Sequence, residues 1–189
     1  MIEHVPEMID AGIDSFKIEG RMKTALYVAT VARTYRKAID AAMESKEAYD
    51  ALLPWCREEI SKCTYRQFTT GFYFGKPDEN TQIYNSNTYE QEYIYLGIAE
   101  NVSAVRTDNT DSPCGECEVS IEQRNKFSVG EVIEIMKPDG RNVEVTVLSI
   151  RNEDGQEQES APHPQQRLEV KLSGVAEKYD ILRKKGKRS

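Results

Sequence analysis

The sequence predicts an α+β fold: helices first, then a small antiparallel β-barrel. Apolar residues recur at helical spacing over roughly the first 60 positions, and beyond position 92 they fall in short alternating runs separated by turn residues. A third observation is a single short strand, Ser15 to Ile18, caught between two helical segments. A lone strand so placed needs parallel neighbours with helices packed on them, and the rest of the chain offers none, so the leading helices are expected to be the remnant of a larger α/β unit.

In chain order, Ile2, Val5, Met8 and Ile9 form the first helical stripe, which stops at Ala11-Gly12, where glycine can take the left-handed conformation that ends a helix. The expected strand follows and runs straight into Glu19-Gly20-Arg21-Met22-Lys23. Thr24 can cap a long helix ending near Ser45, with Val28, Val31, Tyr35, Ala38, Ile39 and Ala42 along one face. Arg36 and Asp40, one turn apart on its outer face, can pair. A further helix is expected over 50–63 with Pro54 in its first turn, which places Cys56, Ile60 and Cys63 on one stripe. Those two cysteines read either as compact core residues or as a redox or half-metal pair.

From Tyr65 to Tyr95 the chain is aromatic and irregular, with Phe68, Phe72, Tyr73, Phe74, Tyr84, Tyr89 and Tyr93. These rings can fill a seam between domains or, interleaved with Arg66, Lys76, Gln82 and Asn85, stack on bases. Strands are expected at 93–102, 116–124, 132–137, 143–150, 167–172 and 180–183, enough for a small closed or nearly closed barrel. The run Phe127 to Ile135, with Gly130 at a turn requiring positive φ, resembles the turn and strand of the second domain of elongation-factor GTPases. The polar stretch 152–166 is expected to be a mobile loop.

Mean hydropathy of -0.64 and 30% charged residues speak against a membrane span, and the first ten residues lack the pattern of a signal peptide. The expectation is a cytoplasmic protein whose four cysteines stay reduced. Net charge is -7. Arg183, Lys184, Lys185, Lys187 and Arg188 hold five of the 25 basic residues against 32 acidic ones, so the body without them stands at -12. That body disfavours a broad phosphate-binding face, while the five basic residues can either contact nucleic acid or serve as a solvated tail. Cys114-Gly115-Glu116-Cys117 has the spacing of a metal or redox pair but lacks a matched second pair, leaving an exposed turn cysteine and a strand residue as the plainer reading. His4 and His163 have no nucleophile at fixed spacing, so no hydrolytic set is assembled.

The stretch Ala11 to Lys23, with Tyr27-Val28-Ala29 and Tyr35 to Asp40, and then Thr70-Gly71-Phe72-Tyr73-Phe74-Gly75 and Gln123 to Gly130, resembles the collagenase-like peptidases of unknown catalytic type. That family includes the prephenate-dependent hydroxylases of tRNA uridine and ribosomal RNA cytidine. The resemblance implies that residues 1–46 are the last unit of a truncated catalytic (β/α) barrel, 47–91 a helical and aromatic strap, 92–183 the C-terminal β-barrel and 184–189 a basic tail. It also implies that the parent is a protease or an RNA hydroxylase, that an iron-sulfur cluster belongs to residues absent here, and that this chain is an accessory part without activity of its own. The expected partners are the missing barrel and an RNA or polypeptide substrate. Glu19, Arg21 and Lys23 would stand at the barrel rim, where Arg21 can fork onto a substrate carboxylate or simply stabilise the rim. A structural cap or dimerisation element is the alternative role. With the barrel sheet absent, the stripe of Val28, Val31, Tyr35 and Ile39 is expected to be exposed and to drive a homodimer.

Overall fold

The computed structural model describes residues 1–63, 70–76, 93–104 and 115–186. The chain divides into two units, Met1–Glu92 and Tyr93–Ser189. Among the described residues the first contains three α-helices and the second an antiparallel seven-stranded sheet, an α+β fold.

A 3-10 turn, Ile2–His4, leads into α1, Val5–Asp10, and Gly12 at φ +78° ends it as expected. Helix α2, Ala25–Glu44, starts at Thr24, whose Oγ1 accepts from the Tyr27 N–H at 3.3 Å. Ser45 serves both long helices. Its N–H donates to Ala41 O at 3.0 Å, and its Oγ accepts from the Ala48 N–H at 3.0 Å, starting α3 at Lys46–Ser61. The expectation of a helix from position 50 is thereby corrected: the extended backbone of Ser45 supplies a cap earlier, and Pro54 lies inside the helix. Asp50 and Pro54 are both exposed, so water can satisfy the Asp50 carbonyl that proline leaves without a donor.

Ile2, Val5 and Met8 pack with Ala38, Tyr49 and Cys56, and the Tyr49 hydroxyl donates to Ile2 O at 2.6 Å. Val31, Ile60 and Cys63 form a smaller cluster. Two expectations change here. The stripe thought to be bare is largely covered by the chain itself: Val31 is buried, Tyr35 and Ile39 are partly buried, and only Val28 stays open at 41%. The stripe from which a homodimer was expected is thus packed within the first unit, against residues of α1 and α3. Residues 15–18 form no strand, since nothing described lies beside them to pair with, and all but Phe16 are exposed.

The second unit contains β1 Tyr93–Ile98, β2 Asn101–Ala104, β3 Cys117–Glu122, β4 Val132–Met136, β5 Asn142–Arg151, β6 Arg167–Leu172 and β7 Ile181–Lys185, in the order β1-β7-β4-β5-β6-β3-β2. β5 does two jobs: residues 142–146 pair with β4, residues 147–151 pair with β6, and a bulge falls between Val147 and Ser149. Alternation decides which side is inside. Val119 and Ile121 on β3 and Leu168, Val170 and Leu172 on β6 face the core, while Glu118, Ser120, Glu169 and Lys171 face out. Gly97 sits at a bulge in β1 where an added Cβ would stand 3.0 Å from Glu122 O. The expected strand over 93–102 is interrupted at Ala99, which exchanges hydrogen bonds with Asp180 O (2.9 Å) and the Tyr179 N–H (2.8 Å). Gly130 has φ +84°, and its N–H donates to Val147 O at 2.8 Å, the positive-φ turn that its sequence context required. The stretch 152–166, expected to be mobile, is tied down. The Gln123 amide donates to Ala161 O at 2.7 Å, Ala161 is buried, and the Ala161 N–H donates to Phe127 O at 2.8 Å.

Candidate functional site

The charged run that the sequence singled out lies on an open turn ahead of α2. Glu19, Arg21 and Lys23 are all exposed. The turn closes through the Lys23 N–H to Gly20 O at 3.0 Å, and Gly20 passes so close to α2 that a Cβ there would meet Val28 Cγ2 at 2.7 Å. Glu19 Oε1 accepts from the Arg21 backbone N–H at 2.8 Å, so this carboxylate shapes the turn. The Lys23 ammonium lies 5.3 Å from the centre of the Tyr27 ring, whose phenol is pushed up by burial. The three residues are thus brought together on one turn, with Arg21 exposed.

Part of the basic group at the other end is built into a strand. Arg183 lies in β7 and is fully buried, with Nε 2.5 Å from Glu134 Oε1, Nη1 3.4 Å from Met136 Sδ and its guanidinium 4.6 Å from the Tyr93 ring centre. Lys184 pairs with Glu131 at 2.6 Å. These two are therefore withdrawn from the set expected to touch nucleic acid: β7 pairs with both β1 and β4, and Arg183 lies opposite Glu134 on the face away from the core residue Leu182, buried beside Tyr93 and Met136. Lys185 is exposed at the strand end, and Lys187 and Arg188 lie outside the described residues.

The sequence reading missed a cleft of about 490 Å³ on the outer face of β3, β5 and β6. Glu118 on its wall pairs with Arg151, Arg167 with Glu100 at 3.4 Å, and the Ser120 hydroxyl donates to Glu169 at 2.5 Å. Four glutamates, Glu100, Glu118, Glu153 and Glu169, face two arginines already engaged, which makes the cleft a poor place for phosphate. The outward positions of the period-2 pattern in β3 and β6 were the signal that could have located it.

Hydrolytic or metal chemistry finds no assembled set among the described residues. His4 pairs with Glu7 at 3.4 Å and its ring meets that of Phe74, while His163 sits exposed in a turn. Cys56 and Cys63 are buried on α3 and in the turn after it, which bears out their core reading. Burial raises the Cys56 thiol to about 11. Cys117 is buried in β3 and its sulfur accepts from the Ala176 N–H at 3.3 Å, whereas Cys114 lies outside the described residues. No group of three or more metal-binding side chains comes together among the described residues. An iron-sulfur cluster therefore does not fit the cysteines described here. No described helix is long and apolar enough to cross a membrane.

These features define a two-unit α+β chain with an open cationic turn and no assembled catalytic set among the described residues. Family models describe the same division: residues 1–83 match "Peptidase family U32" and residues 93–183 match "Peptidase family U32 C-terminal domain". The chain belongs to peptidase family U32. It is 36% identical over 184 residues, 97% of its length, to tRNA hydroxylation protein P1 of Bacillus subtilis. It is 33% identical over 161 residues, 85% of its length, to tRNA hydroxylation protein P of Escherichia coli. To a collagenase of Porphyromonas gingivalis it is 37% identical over 97 residues, 51% of its length. The chain spans 41%, 32% and 23% of these three relatives, respectively.

Proposed function

We propose that this chain is the C-terminal accessory portion of a longer protein that hydroxylates tRNA, and that it holds RNA for a catalytic barrel formed by the rest of that protein. The carrying observation is a likeness that runs through most of the chain: two relatives named for tRNA hydroxylation align through 97% and 85% of it. The site chemistry supports the same reading. A peptidase needs a placed nucleophile and base or an activated water, and the two histidines are engaged elsewhere or isolated. The chain's own contribution is positioning. Arg21 and Lys23, on a turn shaped by Glu19, offer a fork and a point charge to an anionic group at the barrel rim. With Arg183 and Lys184 paired internally, Lys185 and the terminal Lys187 and Arg188 supply any phosphate contact at the other end.

In this reading the second unit curls into a small barrel of the kind seen in the second domain of elongation-factor GTPases. Two contacts support the curl: Leu96 O of β1 accepts from the Arg124 N–H at 2.8 Å, just beyond the end of β3, and Gly97 lies against Ile121. The test is genetic and chemical. A strain lacking the full-length gene is complemented with the complete protein or with one ended after Glu92, and hydroxylated uridine in its tRNA is measured by mass spectrometry. The complete protein restores the modification and the shortened one, although still expressed, does not. Equal restoration by both would reject a role for the second unit in RNA hydroxylation.

A further inference from the structure

We infer that Phe72, Tyr73 and Phe74 form a stacking platform for unpaired bases of an RNA substrate, an inference that rests on the RNA reading above. The three consecutive rings are 79%, 67% and 61% exposed, although large aromatic side chains are the ones whose burial a protein gains most from. Gly71 at φ +58° and Gly75 at φ +143° bracket them in conformations that L side chains rarely adopt, and the Tyr73 N–H donates to Thr70 O at 3.3 Å, which gives the run a defined turn. Phe74 is backed by the His4 ring, 4.4 Å between centres and tilted by 47°, and His4 is in turn held by Glu7.

Size and chemistry decide between a base and a protein surface. Three aromatic residues offer at most several hundred Å², short of the roughly 800 Å² that each partner buries in a stable protein contact. A single ring, by contrast, suffices to stack one base, and stacking tolerates any base because each has a π-face. No aliphatic side chain interrupts the run, Tyr73 adds a hydroxyl that can meet a ribose or base edge, and the exposed Lys76 follows one residue beyond the turn, where a cation favours a phosphate backbone.

The test uses the full-length protein with an unmodified tRNA transcript and a short fluorescent oligouridine, comparing the parent with Phe72→Ala, Tyr73→Ala and Phe72→Trp. Each alanine variant should bind both probes about 5- to 150-fold more weakly, with an unchanged dependence on salt because no phosphate contact is removed, and the tryptophan variant should bind like the parent. Normal binding by both alanine variants would overturn the platform while leaving the RNA reading intact. A lowered melting temperature or altered oligomeric state in the alanine variants would show the rings to be covered by protein and would likewise overturn it. If the parent itself binds neither RNA, the RNA reading falls and the platform with it.

Discussion

Replacing Arg183 separates the folded structure from the idea of a basic tail. Its side chain is fully buried, bonded to Glu134, set over Tyr93 and close to Met136. Arg183→Ala strips the guanidinium from a carboxylate that is itself only 14% exposed, and breaking such a pair from one side destabilises by about 3–5 kcal/mol. Loss of the cation–π contact, about 0.5–2 kcal/mol, is included in that range rather than added to it. Urea unfolding followed by far-UV circular dichroism gives the change. The exposed neighbour Lys185→Ala should stay within about 0.5 kcal/mol of the parent. The paired substitution Arg183→Met with Glu134→Leu should recover most of the lost stability, because apolar residues of similar volume replace a buried pair at little penalty. If Arg183→Ala changed stability by less than about 1 kcal/mol while lowering the salt slope of RNA binding by about one unit, the side chain would be contacting phosphate and the buried placement would be wrong.

Glu59 is the corresponding point in the first unit: it is fully buried and bonds both Arg33 and Lys62, so Glu59→Gln should destabilise by about 3 kcal/mol. The fluorescence of Trp55, the sole tryptophan, with the Arg33 guanidinium 5.5 Å from its ring centre, reads that change directly. Alkali gives a separate test. Burial raises Cys56 to about 11 from 9.0 and Tyr49 to about 12 from 10.0, so both favour the folded state fully below pH 9. Stability of the helical unit should then fall as pH rises from 9 toward 12, since the unfolded chain ionises first. A flat Trp55 unfolding midpoint across that range would contradict it. Cys56 in the native protein should resist an alkylating reagent at pH 8 and react only after denaturation, because its sulfur is both buried and protonated.

What the sequence revealed and what it hid divide along physical lines. Strand periodicity was readable because each side of β3 and β6 has one neighbour type, core or water, so Val119, Ile121, Leu168 and Val170 announce themselves. The start of α2 was readable because a cap is a local hydrogen bond, and Thr24 makes it. Ser45 was read only as an end: one residue can stop a helix with its backbone and start another with its hydroxyl, and sequence pattern does not separate those uses. Burial of Arg183 was invisible for a similar reason. A run of Arg and Lys looks solvated until strand pairing with β1 and β4 sets one member beside Glu134 and against Tyr93. Glu19, Arg21 and Lys23 were expected at the end of a strand, but they lie on a turn, because a strand needs partners that no local pattern can supply.

The central claim is that this chain assists a reaction carried out elsewhere in its parent protein. Supplying unmodified tRNA to the full-length protein and, separately, to the isolated chain, under identical hydroxylation conditions with nucleoside mass spectrometry as the readout, tests it most directly. The full-length protein should hydroxylate uridine and the isolated chain should form no product. Turnover by the isolated chain that disappears on Arg21→Ala would contradict the account and make the open turn a catalytic site in its own right.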